Sequence, residues 1–133
     1  MIKVIINLLK RNHHKTTNMI WVSSDNDFKS ILQKQDNDSL IILFKHSTRC
    51  PVSSRAYQEV LKFSEVQSDD YEIIGINVIT DRSFSQFIAN ETGIRHESPQ
   101  IIISRNSKVL ANFSHFQITN EKLIQSVNQF KIH

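Results

Sequence analysis

Residues 40–44, Leu-Ile-Ile-Leu-Phe, carry no polar side chain at all. A strand with one wet face alternates apolar and polar residues. An unbroken apolar run needs cover on both faces, the environment of a parallel sheet between helices. A second run, Tyr-Glu-Ile-Ile-Gly-Ile-Asn-Val-Ile over 71–79, is largely apolar and reads as another buried strand. Between the two, Val52, Ala56, Val60 and Phe63 fall four, four and three apart and share one helical face. Two buried strands joined by an amphipathic helix predict a parallel pair with a helical crossover.

The flanking segments extend this pattern. Met-Ile-Trp-Val-Ser-Ser, residues 19–24, reads as a short strand. Ser24 suits a helix N-cap, with Asp25 and Asp27 in the first turn and Phe28, Ile31 and Leu32 as the apolar face. Asp36-Asn37-Asp38-Ser39 closes that helix as a polar turn. Asp81 is expected to cap a third helix bearing Phe84, Phe87 and Ile88, and Gly93 suits its left-handed C-terminal position. Gln100–Ser104 and Lys108–Phe113 flank the polar turn Arg105-Asn106-Ser107, a hairpin. Thr119 then opens a last helix with Leu123, Ile124, Val127 and Phe130 inward. The order is β-α-β-α-β-α-β-β-α. It predicts an α/β fold with a central mixed sheet, helices on both faces and antiparallel final strands.

At 133 residues the chain suits one domain. Its net charge of +3 is unevenly placed. Lys3, Lys10, Arg11 and Lys15 all precede Met19, where none of the 13 Asp/Glu falls, so the body carries a formal −1. A body so balanced is no strong nucleic-acid binder. Residues 1–18 read as a flexible basic leader and 19–133 as the domain. The leader lacks the cleavage site of a secretory signal. An upstream start codon is one account of it. Contact of Ile2, Ile5, Ile6 and Leu9 with a membrane surface or import receptor is another. No apolar stretch approaches the roughly 20 residues of a membrane span. His13 and His14, adjacent in the leader, read as solvated, and no metal site is expected.

Cys50 is the only cysteine. That excludes a disulfide within the chain and fits a reducing, cytoplasmic location. A lone cysteine is commonly a buried, inert small hydrophobe. Here it falls between a strand end and a helix start, where α/β proteins bind ligands. Pro51 suits the first helical position. The sulfur would then lie at unpaired amides and the positive end of the helix dipole, which favours the nucleophilic thiolate. Arg49, Lys45 and His46 add positive charge nearby in sequence. Ser53, about one turn on, is expected to donate a hydrogen bond to that thiolate and cannot form a disulfide with it. Pro99 sits directly before a strand, so Ser98-Pro99 is a candidate cis peptide, against an ordinary trans proline at a strand start. Arg95 and His96 either face the thiol or are solvated loop residues.

Leu-Phe-Lys-His-Ser-Thr-Arg-Cys-Pro-Val-Ser-Ser-Arg-Ala-Tyr (43–57), Arg-His-Glu-Ser-Pro-Gln-Ile-Ile-Ile (95–103) and Ser-His-Phe-Gln-Ile-Thr (114–119) together resemble the monothiol bacilliredoxin family. The resemblance runs from about Met19 to Phe130. It implies a thioredoxin-like fold, Cys50 as nucleophile with Pro51 and Ser53 completing the motif, and Pro99 as the cis-proline opposite it. It implies release of bacillithiol from protein mixed disulfides, with no tightly bound cofactor and with bacillithiol as co-substrate. The partners implied are S-bacillithiolated proteins, free bacillithiol and a bacillithiol-disulfide reductase. Arg49, Lys45, Arg95, Ser98 and Pro99 are the expected contacts to substrate, the cations through bacillithiol's malate carboxylates. The family motif commonly reads Thr-Cys-Pro-Ile-Ser, so Arg49 and Val52 are departures; Arg49 adds charge beside the sulfur. His46, His96 and His115 receive no role. Two other functions fit the pattern less well. One is a non-catalytic adaptor that docks peptides beside the cis-proline. The other is an iron–sulfur-binding monothiol glutaredoxin, whose usual Cys-Gly-Phe-Ser is replaced here by Cys50-Pro51-Val52-Ser53.

Overall fold

The computed structural model describes residues 19–34, 38–66 and 68–132. The leader, Asp36-Asn37 of the first polar turn and the side chain of Leu32 lie outside them. The elements are β1 (Met19–Trp21), α1 (Asp25–Lys34), β2 (Leu40–His46), α2 (Pro51–Ser64) and β3 (Tyr71–Asn77). They continue with α3 (Arg82–Thr92), β4 (Gln100–Arg105), β5 (Lys108–Ser114), a single 3₁₀ turn at His115–Gln117 and α4 (Asn120–Phe130). The strands form one sheet in the order β1-β3-β2-β4-β5. β1 and β2 run parallel to β3, and β4 and β5 are antiparallel. The architecture is the mixed, helix-flanked sheet that the sequence pattern predicts.

β2 is buried along its whole length, as its unbroken apolar run requires. Alternation divides its side chains between two cores. Leu40, Ile42 and Phe44 face Ala56, Val60 and Phe63 of α2 and Leu123 and Val127 of α4. Ile41 and Leu43 join Ile74 and Ile76 against Phe28 of α1 and Phe84 and Ile88 of α3. The helices following β2 and β3 therefore pack on opposite faces. The carboxyl ends of these two strands flank a topological switch point, where ligands bind in open α/β sheets.

The helix starts follow the sequence with one exception. Ser24 Oγ accepts the Asp27 N–H at 3.2 Å, and Thr119 Oγ1 accepts that of Lys122 at 3.0 Å. Asp81 occupies the N-cap of α3 but makes no capping bond; its carboxylate accepts the Thr80 hydroxyl at 3.1 Å. Gly93 ends α3 with φ 71°, the left-handed C-terminal conformation glycine adopts without a Cβ clash. Two inward assignments differ. Ile124 is exposed on α4, and Val52 is only half-buried in the first turn of α2. The hairpin turn is shorter than the sequence suggests, because Arg105 pairs with Lys108 and leaves Asn106-Ser107 as a two-residue loop. Both loop residues have positive φ, 53° and 65°, the mirror-image turn that matches strand twist.

Candidate active site

Cys50 is the N-cap of α2, with extended backbone (φ −112°, ψ 122°) and Pro51 as the first helical residue. Its carbonyl accepts the first helical bond, from Ser54 N–H at 3.1 Å. Its own N–H reaches the Ser47 carbonyl at 3.4 Å. The side chain is partly exposed and makes no capping bond. The sulfur thus stands at the positive end of a fourteen-residue helix, with exposed Arg49 preceding it.

Ser53 does not serve the sulfur as expected. It is fully buried, and its Oγ accepts the Ser47 backbone N–H at 2.9 Å. The hydroxyl oxygen closes the loop between β2 and α2, and among the described residues it makes no bond to the Cys50 sulfur. Beneath that loop is an aromatic floor absent from the sequence reading. His46, at the end of β2, stacks on Tyr57 of α2 with ring centroids 5.0 Å apart. Phe44 and Trp21 lie 5.6 and 6.1 Å from the same imidazole. Burial holds the His46 pKa below its ordinary value, with the Ser53 backbone acting in the opposite sense. Its Nδ1 is buried without a hydrogen-bond partner among the described residues. Trp21 is nearly half exposed, and this cluster forms an aromatic side to the site. The signal in sequence was weak, since residues 21, 46 and 57 share no periodicity.

The Ser98–Pro99 peptide is cis. The register pairs Lys45 with Gln100, which sets Pro99 beside the carboxyl end of β2 and the loop to Cys50. Side chains around Pro99 hold that loop. Buried Gln100 donates to the Arg95 carbonyl at 3.0 Å, and its Oε1 accepts the Glu97 N–H at 3.4 Å. Ser114 Oγ bonds the Glu97 carboxylate. The His115 N–H donates to the Pro99 carbonyl at 3.1 Å, and Gln117 Oε1 accepts the Ser114 N–H at 3.3 Å. The Ser-His-Phe-Gln segment therefore braces the proline loop, a role sequence alone did not assign. Ser98 Oγ is buried and unpartnered. Arg95 is exposed on the same loop.

Lys45 is not the exposed anchor that sequence proximity suggested. Alternation along β2 turns it away from the α2 face, and it is fully buried. Its Nζ donates to the Ser85 carbonyl at 3.2 Å and lies 3.1 Å from His96 Nδ1. Burial lowers its pKa to about 8. His96 is lowered too, by burial first and then by the Lys45 charge, with Glu97 opposing. Among the described residues no group of three or more His, Cys, Asp or Glu is placed to hold a metal ion. No helix among them is long and apolar enough to cross a membrane.

A family model, Monothiol bacilliredoxin BrxC, matches residues 20–123. The chain belongs to the monothiol bacilliredoxin family. Solved structures agree on its fold. A candidate oxidoreductase with a thioredoxin fold matches at 30% identity and TM-score 0.70, covering 81% of this chain and 92% of its own. Nicotiana alata thioredoxin NaTrxh matches at 14% identity and TM-score 0.71, covering 91% and 99%. Malassezia sympodialis thioredoxin matches at 20% identity and TM-score 0.66, covering 90% and 97%. This bacilliredoxin-family chain is thus a thioredoxin-like oxidoreductase by family and fold, with one cysteine in its sequence.

Proposed function

We propose that this bacilliredoxin-family protein removes bacillithiol from S-bacillithiolated proteins in the cytoplasm. The reading rests on one observation. The only cysteine in the chain is partly exposed at the N-cap of α2, and the register sets the loop carrying the cis Ser98–Pro99 bond alongside.

In the first step Cys50 thiolate attacks the bacillithiol sulfur of the mixed disulfide. The new bond joins Cys50 to bacillithiol, and the client protein leaves as its thiolate. The chain supplies no second cysteine, so an external thiol must attack the adduct. Bacillithiol thiolate does so, restoring Cys50 thiolate and releasing bacillithiol disulfide, which a separate reductase recycles. Arg49 and Arg95, both exposed, would meet the malate carboxylates. Ser98 and Pro99 would line the bound disulfide.

A reporter protein carrying one bacillithiol mixed disulfide tests the scheme. The wild-type protein releases bacillithiol, and intact mass shows a transient adduct on Cys50. Cys50→Ser abolishes both. Full release by Cys50→Ser overturns the reading.

A further inference from the structure

A second feature sits at the same end of the sheet, on the opposite face from α2. A cleft of about 410 Å³ opens between the β3–α3 turn and the segment before the cis-proline. Val78, Ile79, Arg82, Ser85, Gln86 and His96 line it. The Val78 N–H bonds the His46 carbonyl at 3.0 Å, so this wall abuts the strand end that leads to Cys50. His96 lies three residues before Pro99. The cleft and the cysteine therefore flank one switch point.

The chemistry of this cleft is that of an anion site. It opens at the start of α3, whose first turn carries the positive end of the helix dipole and which Asp81 leaves without a side-chain cap. Ser85 is 3% exposed, and its Oγ has no hydrogen-bond partner among the described residues. A buried hydroxyl without a partner costs free energy that a ligand oxygen would recover. Behind it, the fully buried Lys45 bonds the Ser85 carbonyl and contacts His96 Nδ1, and no carboxylate pairs with it among the described residues. A buried cation without a counter-ion is a strong draw on an anion. Its contact makes His96 Nδ1 the acceptor, so Nε2 carries the imidazole proton and the ring is a donor. Arg82 adds a fork matched to carboxylate. Two acids flank the cleft residues in sequence, and the charge of one, Glu97, acts on His96. Asp81 accepts from Thr80 and Glu97 from Ser114, and neither lines the cleft.

We propose that this cleft binds a small dicarboxylate through Arg82, Ser85 and His96, with Lys45 as a positioning residue behind them. If the proposed function holds, that group is the malate arm of the incoming bacillithiol. The cleft would then orient the thiol that resolves the Cys50 adduct, while Arg49 and Arg95 would meet the bacillithiol already bound to Cys50. The volume falls within the ~300–1,000 Å³ range of small-ligand pockets.

The probes are L-malate and bacillithiol methylated on sulfur, which cannot exchange. Each is titrated at matched ionic strength into the whole protein, with backbone amide shifts as readout. Both are expected to move the amides of residues 82–86 and 96. Arg82→Ala should weaken binding about tenfold, the loss of one charge-assisted hydrogen bond, and Lys122→Ala on α4 should not. In turnover, Arg82→Ala should raise the KM for bacillithiol and reduce its preference over 2-mercaptoethanol by a similar factor. If malate moves these amides but the wild-type adduct yields equally to both thiols, the cleft stands and bacillithiol is the wrong thiol. If neither probe moves them while Cys50→Ser still loses de-bacillithiolation, the cleft proposal is overturned and the function is not.

Discussion

Ser53 shows how far one residue's role can depend on the finished fold. Three positions after the nucleophile, its hydroxyl invites a reading as a thiolate partner, and the spacing along a helix allows it. The β2–α2 loop gives the hydroxyl oxygen a different task, accepting the Ser47 N–H in a fully buried position. No local pattern encodes that contact, because residue 47 reaches it only once the loop turns. Ser53→Ala removes the acceptor and strands a buried N–H. It should cost about 1–3 kcal/mol in urea unfolding while leaving the Cys50 thiol alkylatable. An unchanged midpoint would mean that the loop does not need this bond. Lys45 teaches the same lesson in reverse. Its neighbourhood in sequence suggested a cation near the sulfur, and strand alternation sent it to the other face. That alternation was legible in residues 40–44, where odd and even positions had to face different helices. Lys45, one residue past Phe44, follows the same alternation.

At the scale of elements, the strands were the most legible parts. Uninterrupted apolar runs leave few alternatives to a doubly covered sheet, and β2 and β3 appear where those runs lie. The helices were legible where a face is long enough to repeat, as in Ala56, Val60 and Phe63. They were less so at single positions, since Ile124 has the spacing of an inward residue but is exposed among the described residues. Gly75 is an element-scale constraint that the sequence marks only as an interruption. A Cβ there would lie 2.8 Å from Met19 Sδ and 2.8 Å from Trp21 Cε3. It pairs with Trp21 in the parallel register, so β1 can approach β3 only because position 75 has no side chain. Gly75→Ala should push on β1 and destabilise the fold by about 1–3 kcal/mol, the usual range for overpacking. Trp21 fluorescence is the more specific readout. An emission spectrum and stability both equal to wild type would show that β1 yields without cost.

On the whole-molecule scale, buried Lys45 and His46 and the partly desolvated His96 sit at the carboxyl end of the sheet and buried Tyr71 at the other end, and these groups should shape stability against pH. His46 and His96 have lowered pKa values in the folded protein, so below about 6.5 the unfolded chain binds more protons than the native one. Stability is therefore present above that pH and is lost as pH falls through the folded values. Lys45 acts on the alkaline side. Its folded value of about 8 lies below the ordinary 10.5, so the unfolded chain again binds the extra proton between the two. Stability should rise from about pH 8 toward 10.5 as the cost of the buried charge disappears. Tyr71 opposes this beyond pH 10, because burial and then the charges of Asp70 and Glu72 raise its phenol to about 12 and the unfolded chain ionises first. The expected curve climbs from acid to neutral pH, climbs again above 8 and turns over near 10. Lys45→Met should flatten the second climb and, by removing the charge beside His96, also soften part of the first, whereas His46→Phe should reduce the first and leave the second in place. Urea midpoints at half-unit pH intervals measure all three proteins. If Lys45→Met keeps the rise above pH 8, the buried lysine is not its source. The unpaired cation behind Ser85 and His96 would then be less desolvated than its position between β2 and α3 implies.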